Sequence, residues 1–275
     1  ICDLSTDGCF TLGAAVGATV AAAGYPYLSI FAAMGAGIVS GLITAFLQTK
    51  MGIDSLLSGI IVNTGLYSIN IAIMGSSQVN LNKADTVFTK MNSLLAETAF
   101  SGQSKLVVIL IAVVLVVLFL SVFLKTKLGL AIRATGNNSA MVKSSSINPV
   151  FTIIIGLCIS NAFTGLSGCL MAQYNKSANI DIGSGIVTIA LASLLIGRAF
   201  MGKGKLVFRI IGAVIGSFVF RLVYTIALRF NMPASMLKLV SSVIVIIAIA
   251  GPYFKKQIPN IRRKFASNKR GGEAK

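Results

Sequence analysis

The chain has no histidine and no tryptophan, and only seven of its 275 residues are acidic. Without histidine, the commonest general base and metal ligand is gone. Asp3, Asp7, Asp54, Asp85, Glu97, Asp181 and Glu273 are scattered rather than paired. Hydrolytic chemistry therefore lacks its usual acid–base groups, and a metal site lacks ligands. None of the seven falls in the middle of a long apolar run, where an ion-driven carrier usually holds its coupling ion. Backbone carbonyls can also bind Na⁺, so this excludes one carrier design and not the class. Cys2, Cys9, Cys158 and Cys169 lie in or near apolar segments without C-x-x-C spacing and read as packing residues. Neither an enzyme nor a cofactor is expected.

What the chain does have is apolar length. It is 55% hydrophobic and 11% charged, where soluble domains average about a quarter charged. Several runs of roughly twenty apolar residues are long enough, as helices, to cross about 30 Å of hydrocarbon. They are solidly apolar rather than alternating, which excludes a β-barrel. The expected fold is all-α, a polytopic transmembrane helical bundle. Eight spans are expected: Cys9–Gly24, Pro26–Gln48, Ser55–Gly75, Leu106–Leu124, Pro149–Ala172, Gly185–Met201, Leu206–Leu228 and Met236–Gly251. The first is short and built of Gly, Ala and Thr, so it crosses only partly or packs inside the bundle. The chain starts at Ile1 without an initiator Met or signal peptide, and a further span is expected to precede it. Residues 1–254 form the membrane domain and 255–275 a basic tail.

The net charge of +17 follows membrane topology rather than nucleic acid, for which no reading module is visible. With the tail cytoplasmic, Lys50, Lys125, Lys127, Arg133, Lys143, Arg198, Lys203, Lys205 and Arg209 all fall on the cytoplasmic side. Scattered cations such as Lys83, Lys90, Lys176 and Lys238 are left outside. The chain is thus expected to be a multi-pass cell-membrane protein with its tail in the cytoplasm. GAAVG, GIVSG and GAVIG read as helix-packing patterns. GRAFMGKG fits G-x-x-x-x-G-K but places Gly204 where Ser or Thr would hold Mg²⁺, and it reads as a basic loop. Arg221 lies well inside a span, either functional or snorkelling outward with Arg229.

Between two of the most apolar runs sits LGLAIRATGNNSAMVKSSSINP, Leu128 to Pro149. Its punctuation predicts a helix ending at Thr135–Gly136 with Gly136 as C-terminal cap. A second, short helix follows, capped by Asn137, Asn138 or Ser139 and carrying Met141 and Val142 on one side. Asn148–Pro149 is a cap-plus-N1 start for the next span. The unit reads as a docking element on the cytoplasmic face.

L-G-x-A-x-R-A-T-G-x-N followed by I-N resembles the coupling loop of ABC importer permeases of the branched-chain amino acid and ribose class. The resemblance implies that residues 125–148 dock on an ATP-binding subunit. Gly129, Ala131, Arg133, Ala134, Thr135, Gly136, Asn138, Ile147 and Asn148 match the loop. The family commonly has Gly where this chain has Ser146. DLSTDGCFTLGAA is similar to the signature that lines the pathway in that family, which implicates Asp3, Ser5, Asp7 and Gly8. SGIIVNTGLYSINIAIMG resembles the subgroup assigned to tryptophan- and tyrosine-type uptake. The resemblance implies a homodimer of permease copies in the bilayer, two copies of the ATP-binding subunit below, and an extracytoplasmic binding protein meeting the outer loop 76–104.

The in-span polar residues Asn63, Thr64, Tyr67, Asn70 and Asn161 are further pathway candidates. Asn63, Tyr67 and Asn70 fall at i, i+4 and i+7, on one helical face. Interhelical hydrogen bonding, about 0.6 kcal/mol each, is the competing role. A stand-alone secondary carrier or channel, and a lipid-anchored scaffold, are the competing functions.

Overall fold

The computed structural model describes residues 3–82, 84–94, 103–201 and 206–229, with positions 239, 242, 243 and 246. These fall into two units, Ile1–Ile186 and Val187–Lys275. The first carries α1 (Thr6–Ala22), α2 (Pro26–Thr49), α3 (Ser55–Met74), α4 (Val87–Leu94), α5 (Ser104–Phe123), α6 (Lys127–Asn137), α7 (Ser139–Ser144) and α8 (Pro149–Asn175). α9 (Ile186–Met201) and α10 (Leu206–Arg229) make the second. Five helices, α2, α3, α5, α8 and α10, are long and apolar enough to cross a membrane. α1 and α9 are shorter, so seven of the eight expected segments are helical and five meet the length of a span. The eighth, Met236–Gly251, and the basic tail lie outside the described residues.

Local chemistry sets the helix ends. Asp54 caps α3 by accepting from the Leu56 N–H at 2.8 Å, and Gly75 closes it in the left-handed conformation at φ +67°. The expectation of an all-helical chain meets one exception. β1 (Gln78–Asn80) and β2 (Ser177–Asn179) pair antiparallel, with Val79 opposite Ala178. The segments leaving α3 and α8 run side by side and satisfy each other's backbone groups.

The core is a seam of small residues. Cys9, Ala14, Ala15, Ala18 and Ala21 of α1 are fully buried. α1 runs parallel to α8 with a constant offset: Cys9 meets Asn161, Gly13 meets Gly165 and Gly17 meets Cys169. A Cβ on Gly13 would collide with the Gly165 carbonyl, so the two backbones themselves are in contact. α2 packs antiparallel on the same helix, Gly37 against Asn161 and Gly41 against Leu157. α5 is the opposite case. Only Ser104 and Val108 are buried along its length.

That offset fixes depth. Asn161 lies twelve residues into α8, about 18 Å along a 27-residue helix of about 40 Å. Gly8 stands opposite Asn63, near the middle of α3. α1 therefore starts half-way along the long helices. This corrects the reading that no acidic residue lies at mid-span: Asp3 and Asp7, just before and inside the first turn of α1, are level with the centres of α3 and α8. Apolar periodicity gives a helix its length and not its vertical offset.

In the second unit, Gly216 of α10 meets the Ser193 carbonyl of α9 and Gly212 faces Gly197, the close packing expected of GAVIG. Arg221 is exposed on α10.

Candidate translocation cavity and coupling segment

A cavity of about 350 Å³ opens beside the start of α1. It brings together six of the nine pathway candidates: Asp7 and Gly8 from α1 with Asn63, Thr64, Tyr67 and Asn70 from α3. The i, i+4, i+7 spacing on α3 does put Asn63, Tyr67 and Asn70 on one face. Tyr67 is 53% exposed, whereas Asn70 is 1% exposed and donates through Nδ2 to the Gly8 carbonyl at 3.3 Å. A Cβ on Gly8 would sit 2.6 Å from Asn63 Oδ1, so a side chain there would push the Asn63 amide aside.

Sequence reading missed the rest of the lining, Thr11, Ile180, Asp181, Gly183 and Ser184. After β2 the chain turns back toward α1. The Gly185 N–H donates to Asp7 Oδ2 at 3.1 Å, and Gly183 presses on the Asp7 carbonyl and Thr11. DIGSG, an acid among glycines directly before an apolar helix, is the signal that could have found this loop.

The other three candidates sit elsewhere. Asp3 Oδ1 accepts from the Ser5 N–H at 2.8 Å and the Ser5 hydroxyl at 2.6 Å. Asp3 Oδ2 accepts from Asn161 Nδ2 at 2.9 Å, and Thr44 Oγ1 donates to Ser5 Oγ at 3.2 Å. Ser5, Thr44 and Asn161 are buried. This closed network ties the entry of α1 to α2 and α8.

Residues 125–148, the candidate coupling segment, form two helices. Thr126 caps α6 by accepting from the Gly129 N–H at 3.2 Å. A side chain on Gly129 would collide with the Phe123 carbonyl, so the tight corner from α5 into α6 requires glycine. α6 runs past Gly136 to Asn137, two residues further than expected, and Gly136 is not its cap. Asn138 does both jobs: it ends α6, and its Oδ1 accepts from the Ala140 and Met141 N–H groups, each at 3.1 Å, to start α7. Once a side chain can satisfy two orphan N–H groups, the break falls there rather than at glycine.

Met141 and Val142 do not share a side. Val142 is 1% exposed and Met141 59%. Ser146 takes φ +59°, the left-handed region. Asn148 accepts from the Val150 N–H at 3.0 Å and Pro149 is N1, as the sequence predicts. α6 is held to α8 by the Thr135 and Thr152 hydroxyls, 2.8 Å apart. Arg133 is exposed on α6, without an ion pair among the described residues. Ala131, Ala134 and Ile147 are half-buried between these helices and the surface.

Residues 1–249 match the model of the branched-chain amino acid transport system permease component. The chain belongs to that permease family. A tyrosine transport system permease protein of Clostridioides difficile is 34% identical to it, over 90% of this chain and 81% of the relative. A galactofuranose transporter permease protein of Escherichia coli is 24% identical over 89% and 69% of the two chains. The ribose import permease protein of the same organism is 26% identical over 78% and 67%. No solved structure matches. The chain is thus a multi-pass permease of the ABC transporter class and not an enzyme.

Proposed function

We propose that this chain is the membrane subunit of a binding-protein-dependent ABC importer that moves an amino acid. The observation that carries the proposal is the α6–α7 segment. Its family motif is folded into two capped helices anchored by Thr135–Thr152, leaving Arg133 and Met141 outward for a partner. The name of the tyrosine transport relative supports an amino-acid cargo.

In this reading α6 and α7 lie on the cytoplasmic face and dock one ATP-binding subunit. Two permease copies pair over two such subunits. Residues 76–104, including β1 and α4, face the binding protein. The bundle completes eight spans with Met236–Gly251, and the tail stays cytoplasmic. The mid-depth cavity is the pathway, its amides and hydroxyls accompanied by the Asp7 and Asp181 carboxylates.

Co-purification of the full chain with its ATPase in mild detergent tests the reading. The wild type should retain the ATPase and Arg133→Glu should lose it; an ATPase that never co-purifies overturns the proposal. Asp3 and Asp7 at mid-depth are what favours a gradient-driven carrier instead. Uptake that survives ATP depletion and follows an ion gradient would select that alternative.

A further inference from the structure

We propose that Arg221 of α10 faces water at mid-membrane and binds the carboxylate of the transported solute. The inference deepens the permease reading and rests on it.

Depth comes from the two arginines that flank it. Arg209 and Arg229 are exposed near the two ends of α10, twenty residues apart. At about 1.5 Å per residue they stand about 30 Å from each other, the thickness of the hydrocarbon core. Arg221 is twelve residues from the first and eight from the second, which puts it about 3 Å from the midplane. Snorkelling to the level of Arg229 would have to cover about 12 Å, more than an arginine side chain spans. A charge held at that depth is costly unless it meets water or a counter-charge.

Direction comes from the helix period. Gly212, Gly216 and Phe220 recur every fourth residue and are buried, the two glycines against Gly197 and Ser193 of α9. Ser217, Arg221 and Thr225 recur on the opposite face, and all three are exposed. Arg221 has no ion pair among the described residues. The Ser217 and Thr225 hydroxyls donate to the Val214 and Arg221 carbonyls, each at 2.8 Å. Their oxygens stay open as acceptors for water, so a polar strip about 12 Å long flanks the guanidinium.

Charge complementarity names the occupant. A guanidinium presents a planar fork of N–H donors and no acceptor, which matches a carboxylate in two parallel bonds. A phospholipid phosphate stays at the headgroup level, about 15 Å from the midplane. The acidic side chains at mid-depth are already hydrogen-bonded within the first unit, Asp3 to Ser5 and Asn161, and Asp7 to the Gly185 N–H. A second copy brings the same engaged pair. An amino-acid solute carries a carboxylate of its own, and its passage supplies the counter-charge.

The test uses the full-length chain in nanodiscs carrying Ser217→Cys, one turn from Arg221. Rates with a sulfonato-ethyl and a trimethylammonium-ethyl methanethiosulfonate are each normalised to a small free thiol, and the Ser217 parent corrects for native cysteines. The anionic reagent should react on the order of tenfold faster. Arg221→Gln should bring the two rates together, and Arg221→Lys should keep them apart. 3-(4-hydroxyphenyl)propionate should slow modification of Cys at position 217 and tyramine should not, with that protection lost in Arg221→Gln.

No reaction with either reagent means that lipid or a second copy covers this face, and overturns the inference. Equal rates overturn it too, as does the absence of protection by the acid or equal protection by the amine. Any of these results with the ATPase still co-purifying retires the carboxylate site alone. An ATPase that never co-purifies retires the permease reading itself.

Discussion

The hydroxyls of Thr135 and Thr152 stand 2.8 Å apart, joining the surface helix α6 to the long helix α8. Each also lies within reach of a helix carbonyl, Thr135 of Ala131 at 2.8 Å and Thr152 of Pro149 at 2.9 Å, and the hydroxyl that donates to its neighbour gives up its carbonyl, since each has one proton. A force applied to α6 thus reaches α8 through a pair of side chains. Thr135→Val and Thr152→Val should show a coupling energy of about 0.5–1.5 kcal/mol in a double-mutant cycle on thermal unfolding. Uptake should fall several-fold in Thr135→Val while the ATPase still co-purifies. Strict additivity of the two variants would mean that the contact transmits nothing.

Ser146 occupies a left-handed backbone position that costs an L-residue about 1–2 kcal/mol. The turn is closed by the Ile147 N–H on the Val142 carbonyl at 3.3 Å. Ser146→Gly should stabilise the segment by about 0.5–1 kcal/mol and Ser146→Val should destabilise it by more. Melting temperatures of the purified chain check both, and unchanged values in both variants would show that the turn carries no strain.

Asn63 and Asn161 were candidates for the same role, and the structure separates their consequences. Asn63→Ala and Tyr67→Ala open the cavity wall and should cut uptake at least several-fold with a melting temperature close to wild type. Asn161→Ala leaves Asp3 short of its 2.9 Å partner in a buried network. It should lower stability by about 1–3 kcal/mol. Uptake unchanged in both cavity variants would remove the cavity from the pathway.

Gln173 was not singled out in the sequence, yet it is 1% exposed and joins three helices. Its Oε1 accepts from the Val87 N–H at 2.8 Å and its Nε2 donates to Ser29 Oγ at 2.7 Å. Gln173→Leu strands a buried backbone donor and should cost about 1–3 kcal/mol, read as a lower denaturation midpoint. A wild-type midpoint would mean that water or a shifted backbone replaces the amide.

The long spans α2, α3, α8 and α10 were legible because about twenty apolar residues in a row have few other uses. Asn138 and Asn148 were legible as caps because a short amide side chain reaches its own backbone. Gly136 misled, since its freedom only permits a helix end and the two bonds of Asn138 enforce one. The starting depth of α1 was not legible, because it depends on which glycine meets which residue across about 150 positions. Asp181 and Gln173 were missed for the same reason. Each gains its meaning from a partner remote in sequence, and neither lies on a periodic face that singles it out.

The Gly13–Gly165 seam has a mechanical consequence. Where carbonyls and α-carbons touch directly, no rotamer is available to yield, and sliding by even one ångström brings main chain into main chain. α1, α2 and α8 therefore behave as a single stiff spar. Any widening of the cavity falls to α3, which meets the spar there through side chains such as Asn70 on the Gly8 carbonyl, whereas the loop from Ile180 to Gly185 is held by Gly183 against the Asp7 carbonyl. Amide exchange should follow that division, slower along α1 than along α3. A hinge inside the spar would reverse the order.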